Sequence, residues 1–399
     1  MELPGRAADK RLLTACTISF FCFLASYMRM PIVPLLATAL GADTFQVGMI
    51  NGVFMLTACC LSIPSGLISD RLGRRVPLLG GLLILGASSF LFFWSGNLPQ
   101  MAVIYLFFGV GLSTFSPALM AYVGDITPAE LRGQAFGWYT MAMYAGMTLG
   151  PAAGGFLARA TGLRPVFPVA GGLIFAMFFV ALFFLPIPAA QRRSDHAHPA
   201  ILPSLRSLME NRPLVACLVA VLGCCLGYGM FVTFMPLYIK SLGMNTMHVG
   251  LVFATGALTN TLSRLPAGRL CDRFEDPSIL VAVSLAVFAL ALFAFGLCLS
   301  VASLIVTAAI MGIGMGGAFT VICALIAQVV PREMGGLAVG CYNTCIYAGM
   351  MLSSVCMGPV IRAEGFKAGF FINGALGLVA LVLFRLLYTR QPIAEKNPA

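Results

Sequence analysis

Apolar residues come along this chain in long runs separated by short polar gaps, and that alternation organises the sequence more than any local motif does. A helix crossing the hydrocarbon core of a bilayer needs about 20 consecutive, mostly apolar residues. Runs of that length fill nearly the whole chain and leave no stretch for a separate soluble domain. The pattern predicts about twelve membrane-spanning helices, over residues 12–40, 46–69, 76–95, 101–124, 134–160, 166–187, 212–239, 247–270, 278–299, 303–329, 337–362 and 368–388. The first run is too long for the apolar region of a secretory signal and shows no clear small-residue cleavage site, so it reads as a span. The expected class is an all-α polytopic membrane protein.

The gaps set the orientation. An even number of spans puts both termini on one side, and most basic residues fall in the terminal and even-numbered gaps, among them Arg6, Lys10, Arg11, Arg71, Arg74, Arg75, Arg132, Arg206, Arg269, Arg273 and Arg332. Only Arg159, Arg164, Lys240, Arg362 and Lys367 fall on the other face. That asymmetry places both termini in the cytoplasm, in a cytoplasmic (inner) membrane. The single long polar gap divides the chain into a half at 1–187, a linker at 188–211 and a half at 212–399. Nothing in the linker resembles a site; His196 and His198 lack ligand spacing.

Composition agrees with lipid as the solvent: 60% of residues are hydrophobic and 10% charged, against about 25% charged in soluble domains. The net charge of +10 is spread over loops rather than gathered on one face, so topology explains it and nucleic acid does not. The 13 cysteines form no C-x-x-C pair, and a disulfide framework or zinc site is not expected. No metal or cofactor is expected, and the chain is expected to be a monomer whose partners are the bilayer, a small-molecule substrate and, as a candidate, protons.

The halves repeat each other. Pro64, Gly66, Asp70 and Arg71 recur 202 residues later as Pro266, Gly268, Asp272 and Arg273. Tyr144-Ala145-Gly146-Met147 recurs 203 residues later as Tyr347-Ala348-Gly349-Met350, and Gly109 and Gly111 map onto Gly312 and Gly314. Parallel repeats about an axis along the membrane normal put a substrate site between the halves near the midplane.

The gap after the second span reads Gly66-Leu67-Ile68-Ser69-Asp70-Arg71-Leu72-Gly73-Arg74-Arg75, which resembles the signature loop of the major facilitator superfamily. The resemblance covers residues 12–390 and implies two pseudo-symmetric six-helix bundles that rock around a central site. Asp70 ends a helix, where a carboxylate is disfavoured by about 0.3–1 kcal/mol unless partnered. The loop then acts as a conformational latch, with Gly66, Asp70, Arg71, Gly73 and Arg74 in one copy and Gly268, Asp272 and Arg273 in a degraded second copy. Asp125, ending a helix on the same face, is a candidate partner for Arg71 or Arg74. Arg264, one turn before Gly268, is expected to belong to this cluster rather than to a substrate site.

In the fifth span, Gly146, Gly150, Pro151, Gly154 and Gly155 put small residues four apart beside a proline, which resembles a motif of the superfamily's drug:proton antiporters; ordinary small-residue helix packing is the competing reading. Two other marks of those antiporters are missing: Tyr105 stands where an arginine is usual, and Cys22 where an acid is. No Asp or Glu sits in the middle of any span, so proton coupling does not carry over from the resemblance. Arg29 does sit in a span, about 26 Å from the cytoplasmic end at 1.5 Å per residue. It is a candidate substrate-binding cation, with snorkelling and backbone pairing as alternatives; Asn51, Tyr139, Asn260 and Asn343 are uncharged candidates. The 31 Phe and 22 Met residues suit a soft cavity for amphiphilic compounds. The expected function is a secondary transporter exporting small amphiphilic or organic anionic compounds. Alternatives are a metabolite importer or facilitator without proton coupling, and a non-transporting sensor or scaffold. No nucleophile–base pattern or nucleotide-binding loop points to an enzyme or to ATP drive.

Overall fold

The computed structural model describes residues 6–128, 131–185, 201–331 and 334–388, and all of the regular structure in them is helical. The first span is α1 (Arg6–Arg29) followed by α2 (Ile32–Ala39), and the rest of the first half comprises α3 (Thr44–Leu72), α4 (Arg75–Trp94), α5 (Leu98–Ile126), α6 (Arg132–Thr161) and α7 (Val166–Phe184). After a short α8 (Ile201–Glu210) come α9 (Arg212–Ser241), α10 (Thr246–Arg273), α11 (Pro277–Phe295), α12 (Val301–Val329) and α13 (Gly335–Leu387).

Helix starts follow local chemistry. Asp43, Asn97, Asn211, Asn245 and Ser300 each accept a bond from a backbone N–H of the first turn of α3, α5, α9, α10 and α12, satisfying donors that a helix leaves open. Three departures from the sequence expectation have physical causes. The predicted single helix over 12–40 is broken at Met30–Pro31, because Pro31 and Pro34 both lack the N–H that a continuous helix would use. The linker, read only as a polar connector, contains a short helix, α8, whose Leu208 is buried. The gap expected between the last two spans shrinks to one residue: α13 runs 53 residues, with only Gly365 non-helical at φ 81° and ψ 174°. A straight helix of that length would reach about 80 Å at 1.5 Å per residue, more than twice a hydrocarbon core of about 30 Å, so Gly365 divides two spans.

Nine of the described helical segments are long and apolar enough to cross a membrane, with α1 and α2 counted together and α13 counted once. Helices α6 and α10 do not meet that measure although they have 30 and 28 residues. With α13 taken as two spans and these two added, the bundle has twelve. Within the first half α1 packs along α6 and α7, and α5 along α3 and α4; within the second, α9 packs along α13, and α12 along α10 and α11. The halves meet where α3 lies on α13 and α6 on α10.

Among the described residues, close contacts across that meeting gather at the end opposite the chain termini, called the far end below. A Cβ on Gly358 would stand 2.7 Å from Phe45 Cα, and one on Gly250 would stand 2.9 Å from Pro151 O, each contact crossing between halves. Thr44 Oγ1 donates to Gly358 O at 2.9 Å, and Arg362 pairs with Asp43 at 2.8 Å, also across the seam.

Candidate substrate cavity

A cavity of about 250 Å³ lies at the seam, lined by α1, α3, α5 and α6 from one half and α9, α10, α12 and α13 from the other. Its wall explains why α6 and α10 are poor in apolar residues. Helix α6 contributes Tyr144 and Thr148, and α10 contributes Asn260, Thr261 and Arg264; these polar groups face a cavity instead of lipid. Tyr27, Tyr228, Tyr342 and Tyr347 join Tyr144, so that five phenols line the space. Phe54, Phe108, Phe231 and Phe253, with Met147, Met311, Met315 and Met350, supply most of the remainder. No acidic side chain lines the cavity among the described residues.

Arg264 is the cation of this wall. Its Nε donates to Asn260 Oδ1 one turn earlier at 3.1 Å, and its guanidinium carbon lies 4.0 Å from the Tyr144 ring centroid, face-on. Next to this pair, the hydroxyls of Thr148 and Thr261 stand 3.4 Å apart across the same α6–α10 contact. The expectation that Arg264 belongs with the loop charges is corrected. It lines the cavity, one turn deeper than Gly268 and nine residues, about 13 Å at 1.5 Å per residue, before Arg273. Depth was the signal that could have placed it; the internal repeat could not, since its counterpart is Ser62.

The other sequence candidates divide. Asn260 and Asn343 line the cavity. Asn51 and Tyr139 are buried but do not, and Tyr139 lies beside Ser19 and Ser116 inside the first half. Arg29 does not line it either. Fully buried at the α1–α2 break, it donates from Nη1 to Ser89 Oγ at 2.7 Å, and its guanidinium carbon lies 3.4 Å from the Phe108 ring centroid and 5.9 Å from that of Phe92. Phe108 is itself part of the cavity wall.

Around the loop after α3, Arg74 Nε pairs with Asp125 Oδ2 at 3.0 Å, tying α4 to the end of α5. The side chains at positions 66, 70, 71 and 272 lie outside the described residues; Gly73 adopts φ 76° and Arg273 is exposed. In α6, Gly150 faces α1, where an added Cβ would stand 2.7 Å from Leu24 O; Gly146 and Gly154 face α1 in the same way. Gly155 instead meets Thr246 and Gly250 of α10, and Pro151 reaches the cavity. The small-residue stripe thus serves close packing of α6 on both neighbours.

Comparison with known proteins agrees with this architecture. The profile of the Major Facilitator Superfamily matches residues 15–295 and 248–399, and the chain belongs to that family. It is an integral membrane transporter and not an enzyme. Multidrug resistance protein MdtG of Salmonella paratyphi B is 26% identical over 404 residues, covering 98% of this chain and 97% of that protein. The uncharacterised MFS-type transporter MJ1560 of Methanocaldococcus jannaschii is 21% identical, covering 96% and 99%. The crystal structure of a bacterial homologue of the human lysosomal transporter Spinster, inward-facing and unoccupied, superposes with a TM-score of 0.79 at 15% identity, covering 96% of this chain and 98% of that one.

Proposed function

We propose that the protein is a secondary transporter working by alternating access, and that it exports small amphiphilic or organic anionic compounds across the cytoplasmic membrane. The observation that carries this reading is Arg264, a cation at the seam of the two halves in a cavity of phenols, phenyl rings and thioethers with no acid in its described wall. An anionic group would pair with Arg264 while an aromatic or aliphatic body lies on Tyr144 and the Phe–Met wall. Asn260 and Asn343 are the proposed uncharged contacts. Export is supported by the glycine–proline pattern of α6 and by the MdtG relative, whose name assigns it to multidrug resistance.

The basic loops favour cytoplasmic termini; with them, the tight far-end packing corresponds to a state closed toward the outside. The halves would be 1–187 and 212–399, joined by 188–211, in a monomer. Gly66, Asp70, Arg71, Gly73, Arg74 and Asp125, with Gly268, Asp272 and Arg273, would form the latch that opens as the halves rock.

The test uses inside-out vesicles with an imposed pH gradient and a pH-sensitive dye, challenged with benzoate-type anions and lipophilic cations. Collapse of the gradient by anions alone, abolished by Arg264→Gln, supports the reading; collapse by cations alone would refute its anionic part. The lack of an acid in the described cavity wall favours a second reading, a facilitator for the same anions. It would show as radiolabelled benzoate exchange without any change in the pH gradient.

A further inference from the structure

Arg29 is costly where it stands. A cation near the middle of a span is opposed by about 2.5–3.5 kcal/mol on insertion scales, and this one has no acidic partner among the described residues. Nη1 reaches Ser89, but Nε and Nη2 have no acceptor there. A face-on phenyl ring at 3.4 Å offsets part of the desolvation and leaves the two free N–H edges unmatched. The fold also holds Arg29 at the one place in the first span that is not continuous helix, between Tyr27 and Met30, which both line the cavity. Phe108, the ring on which it stacks, lines the space that Arg264 reaches from the other half.

Resting on the anion-binding reading above, we propose that Arg29 is a second anion-binding group of the same cavity, screened by Phe108 until a ligand is present. The preferred substrate is then a dianion: a rigid, largely aromatic body with an acidic group at each end. One end pairs with Arg264 on α10. The other meets the free edge of Arg29 once the Phe108 ring turns aside. Such a ligand fastens one half of the transporter to the other, because each cation belongs to a different half. A monoanion engages Arg264 only and leaves Phe108 closed.

The experiment compares matched probes on the purified full chain in detergent by isothermal titration. Benzoate and biphenyl-4-carboxylate are set against benzene-1,4-dicarboxylate and biphenyl-4,4′-dicarboxylate. The expected result is that one dicarboxylate binds about tenfold more tightly than its monocarboxylate, the gain of one charge-assisted hydrogen-bonded pair. Arg29→Gln brings the affinity ratio of dicarboxylate to monocarboxylate down to about one, whereas Arg264→Gln weakens every probe. Monocarboxylate binding that depends on Arg264, with no dicarboxylate gain or a gain that survives Arg29→Gln, overturns the inference and spares the anion reading. No binding of any probe overturns both. Should Arg29→Gln not fold, labelling of Arg29 by phenylglyoxal in Phe108→Ala, read by peptide mass, decides instead. Labelling that rises above the wild-type chain and is blocked by the dicarboxylate supports the second site; labelling that does not rise refutes it.

Discussion

The guanidinium carbon of Arg264 stands 4.0 Å from the centre of the Tyr144 ring, and the two residues belong to opposite halves of the bundle. The α6–α10 seam is therefore bridged by the same cation that offers itself to a ligand. An anion drawn to Arg264 competes with the face of Tyr144, so occupancy of the cavity and cohesion of the seam are linked through one side chain.

For this reason Arg264→Gln is expected to weaken anion binding by roughly 10- to 100-fold, since a hydrogen bond to a charged group contributes about 1.5–3 kcal/mol. Arg264→Lys should keep the charge and lose the planar contact with Tyr144, giving an intermediate affinity. Isothermal titration with benzoate on the two variants checks the order. Equal affinity in all three chains would remove Arg264 from the site.

The far-end pair makes a different prediction. Arg362 and Asp43 meet at 2.8 Å but are 69% and 37% exposed, so their contact contributes no more than about 1 kcal/mol and is screened by salt. Asp43 also caps α3 through Gln46 N, so the cleaner variant is Arg362→Ala. Labelling of a cysteine placed near the far-end mouth should rise by about fivefold at most, with folding intact. An unchanged accessibility would show that the close glycine contacts and the Thr44–Gly358 bond hold that end without the ion pair.

Close packing of α6 on α1 is testable by volume. A Cβ at Gly150 would stand 2.7 Å from both Leu24 O and Tyr27 Cβ, whereas a Cβ at Gly137 would meet nothing within 4 Å. Gly150→Ala should lower the unfolding midpoint in detergent, costing about 1–3 kcal/mol through overpacking. Gly137→Ala in the same helix should leave it unchanged or raise it slightly.

Gly365 is the remaining sensitive position. Its φ of 81° with ψ of 174° lies in a region open almost only to glycine, where another residue costs about 1–3 kcal/mol. An added Cβ would touch nothing within 4 Å, so the penalty of Gly365→Ala is conformational. It should appear as a lower unfolding midpoint with ligand affinity unchanged, a combination that Gly150→Ala near the cavity need not share.

Much of the architecture was legible in the sequence because lipid imposes a coarse rule: long apolar runs, basic loops on one side and an in-register repeat lead to twelve helices in two halves. The site was less legible. Asn260 and Asn343 line the cavity, but Arg29, Asn51 and Tyr139 do not. A polar residue in a span can be buried against its own half or face the centre, and the sequence records depth without azimuth. Arg29 illustrates the limit, since it stacks on Phe108, a ring of the cavity wall, without lining the cavity itself. Arg264 was hidden for another reason: proximity to a loop motif in the chain suggested a place among the loop charges, although two and a half helical turns separate it from Arg273 and its side chain faces the cavity. The break in the first span was written in Pro31 and Pro34, whereas nothing in the apolar pattern warned that a single glycine would serve as the last loop.

The two helices least suited to lipid, α6 and α10, are also the two that present Tyr144, Thr148, Asn260, Thr261 and Arg264 to the cavity. As the chain is made, neither can be expected to leave the translocon for the bilayer unaided. Each has to be received by helices already there, α6 by α1 and α10 by α6. The residues that would recognise a substrate therefore also govern assembly. A variant that makes α10 more apolar should insert more readily and transport less, so yield in the membrane and activity would move in opposite directions along the same helix.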